Sequence, residues 1–129
     1  MFIGLHEAMT GLIQFPYAVT GGARDALPAI PFGTGLSSHV IRTRTPLVIN
    51  TDMEQRGAAL GMVLDRERHH QIKSWVGVPI VLGDSAIGLI AIQDTAREQA
   101  FTTSQVNLLM TLANSMSVAL ENARLFDET

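Results

Sequence analysis

The sequence predicts an α+β fold: an antiparallel sheet of about five to six strands with both faces covered, closed by a long C-terminal helix. Three observations predict it. Two runs rich in Val and Ile, Trp75 to Leu82 and Ala86 to Ile92, are separated by Gly83-Asp84-Ser85 and read as a β-hairpin. Both runs are apolar on successive residues, so neither face of the hairpin can stand in water. A final segment from about Ser104 to Phe126 carries two apolar stripes at helical spacing and needs two packing partners.

The other elements follow in chain order. Phe2 to Glu7 and Leu12 to Val19 are strand-like runs around Ala8-Met9-Thr10-Gly11, a turn in which Gly11 is free to take positive φ. In the second run Ile13, Phe15, Tyr17 and Val19 share one face at period two. Pro16 lacks a ladder donor and argues for a sheet edge. Thr20 to Phe32, with Gly21-Gly22 and two prolines, reads as loop. Leu36, Val40 and Ile41 then mark a short helix, with Thr34 or Ser37 as N-cap and Pro46 as its stop. Leu47 to Asn50 reads as a third strand. Between it and the hairpin lie the 22 residues Thr51 to Ile72, a length that is functional, mobile or partly helical in a compact domain. Met53, Gly57, Leu60 and Leu64 have helical spacing there, weakened by Gly57 and Gly61.

Composition narrows the function. The 129 residues are sufficient for one domain with a single core, and 47% apolar with 16% charged content is that of a globular chain. A formal net charge of −3 offers no general attraction for nucleic acid or anionic membranes. The absence of cysteine removes disulfides, thiolate metal sites and cysteine nucleophiles, and fits a reducing cytoplasm. No run approaches the roughly 18 apolar residues that cross a bilayer. Strand-like sequence at Met1 predicts a longer parent protein, with a helix preceding this segment.

The motifs Gly33-Thr34-Gly35-Leu36-Ser37-Ser38-His39-Val40-Ile41, Pro46-Leu47-Val48-Ile49, Ser74-Trp75-Val76-Gly77-Val78-Pro79-Ile80, Gly83-Asp84-Ser85-Ala86-Ile87-Gly88-Leu89-Ile90 and Ala119-Leu120-Glu121-Asn122-Ala123-Arg124-Leu125-Phe126 occur in that order. In order and spacing the chain resembles the GAF family, the sensor domains of phytochromes, phosphodiesterases, histidine kinases and nucleotide cyclases. The resemblance implies terminal helices on one sheet face and a ligand pocket on the other, roofed by the short helix and the long connection. Residues 1–129 then form one GAF-like domain without the family's starting helix. Bilin-binding members attach their chromophore through cysteine and sulfoxide-reductase members use catalytic cysteines, so this chain supports neither chemistry. The Asn-Lys signature of cyclic-nucleotide binders is absent, since Thr51 follows Asn50.

Gly33-Thr34-Gly35 lacks the Lys-Ser/Thr of a phosphate loop and reads as a turn opening a helix. His69 and His70 are adjacent and point apart, which does not suit one metal ion; no metal site is predicted. One axial imidazole suffices for haem, which leaves His39, His69 and His70 as ligand candidates for a haem sensor. Asp52 and Glu54 form a carboxylate pair without a nucleophile or base beside them, so no enzyme is predicted. Trp75 and Tyr17 suit packing first and ligand stacking second. The ligand-facing set on this reading is Tyr17, His39, Asn50, Asp52, His70 and Trp75, with the ligand unnamed. Leu108, Leu112, Met116, Leu120 and Ala123 are the helix residues assigned to dimerisation. The expected function is a non-catalytic sensor that binds a small molecule, pairs with a second copy, and controls an output domain such as a kinase or cyclase elsewhere in the parent chain. A ligand-free dimerisation module is the second reading and a haem sensor the third.

Overall fold

The computed structural model describes residues 1–33, 35–61 and 72–127, the last four by backbone alone. The described strands are β1 (Phe2–Glu7), β2 (Leu12–Thr20), β3 (Ala23–Arg24), β4 (Ile30–Pro31), β5 (Leu47–Ile49), β6 (Ser74–Leu82) and β7 (Ser85–Asp94). They form one antiparallel sheet in the order β3-β2-β1-β7-β6-β5, with β4 also paired to β2. The helices are α1 (Leu36–Thr43), α2 (Met53–Ala59) and α3 (Thr103–Asp127).

The predicted hairpin is β6–β7, at the centre of the sheet. Its loop is Gly83-Asp84, with Gly83 at φ 64 supplying the left-handed backbone that so tight a reversal needs. β6 alternates strictly. Val76, Val78 and Ile80 join Ile90 under Leu109 and Ala113 of α3, while Trp75 joins Leu89 and Ala91 under α1 and α2. The unbroken apolar run therefore reflects two cores rather than one. Pro79 is tolerated because β5 pairs only from Trp75 to Gly77, so the proline lies beyond its end, on a stretch with one neighbour.

β1 and β2 meet through a bulge. Between the pairs Ile3↔Tyr17 and Leu5↔Gln14, Gly4 alone opposes Phe15 and Pro16, which places the donor-less proline where the ladder is already interrupted. The extra residue reverses the phase of β2. Ile13 and Ala18, an odd number apart, are the buried pair, and Tyr17 moves to the α3 side with its partner Ile3. The expectation that Ile13, Phe15, Tyr17 and Val19 share one face is corrected accordingly.

The segment predicted as loop carries β3 and β4. Gly21 and Gly22, at φ 60 and 82, turn Ala23-Arg24 back onto β2. α1 begins not at a Thr34 or Ser37 cap but after Gly35, whose extended backbone carries no capping side chain. Ser37 and Ser38 are instead buried inside the helix, and Ser38 Oγ accepts the Gly33 N–H at 2.9 Å. α2 buries Met53 and Gly57 as the spacing predicts; Leu60 is exposed and Leu64 lies outside the described residues. α3 opens with a reciprocal cap: Gln105 N–H donates to Thr102 Oγ1, and Thr102 N–H to Gln105 Oε1.

Candidate functional site

The α1 side of the sheet is not filled. A cavity of about 650 Å³ lies between the sheet, the start of α1 and the β2–β4 connection. Two cross-strand pairs make its floor, Phe2 with Ala18 and Trp75 with Gln93, and Phe15 borders it. Gly35, Leu36 and Ser37 form one wall, and Thr20, Gly21, Asp25, Leu27 and Ile30 another; Ile72 and Thr95 complete it. The hollow has local causes. Ala18 and Gly35 put little bulk into it, and Gly77 lets the Trp75 ring fold back along its own strand, since a Cβ at that position would strike the indole. Asp25 is held by the Thr20 hydroxyl at 3.3 Å and accepts the Ala26 N–H at 2.9 Å. The surface is thus mainly apolar, with the Asp25 carboxylate and a few neutral polar groups among its lining.

Beside the cavity a polar joint fixes the segment between β7 and α3. Ser74, fully buried at the start of β6, donates from Oγ to Arg97 O at 2.8 Å and accepts the Ala100 N–H at 3.2 Å. Asp94 Oδ1 accepts the N–H groups of Ala96 and Arg97 at 2.7 and 2.9 Å, and these bonds hold its carboxyl below its ordinary pKa. On the other side Asn50 O accepts the Gln99 N–H at 2.6 Å, Asn50 Nδ2 donates to Phe101 O at 3.3 Å, and Glu98 Oε2 accepts the Asp52 N–H at 3.0 Å. Asn50 Oδ1 is buried without a hydrogen-bond partner.

The predicted ligand-facing residues separate under this geometry. Trp75 lines the cavity. Tyr17 is turned to the opposite side by the β2 bulge and lies under the Arg24 guanidinium, 5.2 Å from its ring centroid. Asn50 and Asp52 belong to the polar joint and do not line the cavity. His39 sits part-exposed on α1, away from the lining, and His69 and His70 lie outside the described residues. Sequence reasoning missed Phe2, Phe15, Ala18, Leu36, Ser37, Ile72 and Gln93; of these Phe2, Ala18 and Gln93 enter through strand pairing. The chosen helix residues separate as well. Met116 and Leu120 pack on the sheet, while Leu108, Leu112 and Ala123 are exposed. Among the described residues no cluster of His, Asp and Glu could hold a metal ion, and no helix is long and apolar enough to cross a membrane.

An antiparallel sheet with a long helix on one face and a cavity beside a short helix on the other defines a class of small α+β domains. The GAF domain family model matches residues 1–121, and the chain belongs to that family. Over 96 residues, 74% of the chain, it is 27% identical to the circadian input-output histidine kinase CikA of Thermosynechococcus vestitus, and the match spans 13% of that protein. Its fold is shared by residues 122 to 287 of a methyl-accepting chemotaxis protein, with TM-score 0.80, 21% identity, and coverage of 97% of this chain and 79% of that one. A second solved structure with this fold is the type II free methionine-R-sulfoxide reductase of Thermoplasma acidophilum, with TM-score 0.66, 17% identity, and coverage of 90% and 74%.

Proposed function

We propose that this GAF domain is a non-catalytic sensor whose α1-side cavity takes a small, largely apolar molecule and whose α3 carries the response to an output domain of a longer signalling protein. The cavity is the observation that carries the reading. At about 650 Å³ it falls within the size range of small-molecule sites, and it is lined by Trp75, Phe2 and Phe15 with Ser37, Thr20, Asp25 and Gln93 at its polar points. The signalling context rests on the likeness to a histidine kinase of which the matched segment is a small part. The absence of cysteine removes the thiol that bilin attachment and sulfoxide reduction require, which favours reversible binding in a cytoplasmic setting. Native mass spectrometry of freshly purified protein tests the reading. The expected result is a retained small-molecule mass that Ala18→Leu, which fills the cavity, abolishes while the protein stays folded. A bare protein mass in both would reject the sensor in favour of a purely structural module.

Pairing with a second copy has its own support. From Ala100 to Leu120 the sequence holds no Asp, Glu, Lys or Arg, whereas about a quarter or more of an ordinary protein surface is charged. Leu108 is 63% and Leu112 45% exposed on that helix, beside the small residues Ser115 and Ala119. A second α3 packed along this stripe would cover it and join the two output segments. In sedimentation the wild type is expected to be a dimer, weakened about tenfold or more by Leu112→Asp. A folded Leu112→Asp protein that dimerises as tightly as wild type would remove this interface.

A further inference from the structure

Three non-glycine residues among those described adopt left-handed backbone, and two of them meet in the joint beside the cavity: Asp52 at φ 51 and Gln99 at φ 53. Such residues carry a conformational penalty and persist only where their surroundings hold them. Here each is held by the other's segment. The Asp52 N–H donates to Glu98 Oε2 at 3.0 Å, and the Gln99 N–H donates to Asn50 O at 2.6 Å. Release of either bond would let its strained residue relax and weaken the geometry of the second.

The two segments lead to different elements. Asp52 is the residue immediately before α2, whose Met53 and Gly57 are buried on the cavity side of the sheet. Gln99 lies three residues before Thr102, the cap of α3. The joint also touches the cavity wall, because Ser74 precedes Trp75 and Asp94 precedes Thr95. From this arrangement we infer that the Asn50–Asp52 and Glu98–Gln99 contacts form a strained latch that couples the seating of α2 to the first turns of α3. Glu98 is a positioning residue in it: it acts through the Asp52 amide and touches no ligand. The inference rests on the sensor reading for its purpose, since that reading gives α2 a reason to move. Its physical content is separate.

Amide hydrogen exchange on the domain without added ligand tests it. Glu98→Ala removes the acceptor and is expected to speed exchange in both α2 and the Val106–Leu109 turn of α3 by about tenfold, while Val76 and Val78 in the sheet stay unchanged. Glu98→Gln keeps an acceptor oxygen and restores wild-type rates. Gln99→Gly, which takes left-handed backbone without penalty, slows both helices together. Acceleration of α2 alone, no change in either helix, or opposite movement of the two in Gln99→Gly would overturn the latch. An empty cavity with coupled exchange would leave the latch and remove the ligand; a filled cavity with uncoupled exchange would do the reverse.

Discussion

The two faces of the β6–β7 hairpin are made from the same kinds of residue and put to opposite uses. Toward α3, Val76, Val78, Ile80 and Ile90 interlock with Leu109 and Ala113, and Ile3, Leu5, Met116 and Leu120 close the edges. Toward α1 and α2, Trp75, Leu89 and Ala91 meet Leu36, Val40, Ile41 and Met53, yet a cavity of about 650 Å³ remains along the Phe2–Ala18 and Trp75–Gln93 pairs. A close-packed interior loses dispersion contacts wherever it is hollow, so the α1 side gives up contacts beside Trp75 and Leu36 that the patch under Leu109 and Ala113 keeps. Hollows of about 550 and 610 Å³ on the α3 side lie away from that patch, by Leu5, Ile87 and Leu120 and by Val81 and Val118.

A matched pair of substitutions puts a number on that difference. Leu109 and Leu36 are both helical leucines, 5% and 3% exposed, one over each face. Leu109→Ala should cost about 4 kcal/mol, because it opens a void among well-packed neighbours. Leu36→Ala should cost about 2 kcal/mol, because one side of that chain already borders empty space. Urea unfolding with unchanged m-values reads both. Equal losses would mean that the α1 side is as tightly packed as the α3 side, and the comparison would fail.

How much of this was legible in the sequence depends on how local each feature is. The central hairpin and the two stripes of α3 are written in consecutive residues or fixed spacings, and the structure carries both. The face of Tyr17 was not legible, because it depends on Gly4 opposing both Phe15 and Pro16, a count taken across two strands. For the same reason Phe2 and Ala18 gave no sign of lining one floor. Asn50 and Asp52 illustrate a different limit. A polar residue before a roof helix has the same letter whatever its side chain faces; here the Asn50 amide donates to the Phe101 carbonyl, while Asp52 enters the joint through its main-chain N–H, held by Glu98. Met116 and Leu120 share a helix with Leu108 and Leu112, and only the placement of α3 on β6 separates the sheet-facing residues from the exposed ones.

Glycine offers the gentler and more local comparison. Gly88 faces the filled side, paired with Leu5 and Ile80, and a Cβ there would run into the backbone carbonyl of Gly4 in the neighbouring strand. Gly77 faces the hollow side, and a Cβ there would run into the ring of Trp75. Both changes add one methyl group, and the obstacle differs: backbone locked in a ladder on one face, a side chain beside open space on the other. Gly88→Ala should therefore destabilise by about 3 kcal/mol, since β1 must move away from β7. Gly77→Ala should cost about 1 kcal/mol and shift the Trp75 emission maximum as the indole swings into the cavity. Were Gly77→Ala as damaging as Gly88→Ala, with the emission unmoved, the ring would have no room to yield, and the space beside Trp75 would not be the hollow on which the site depends.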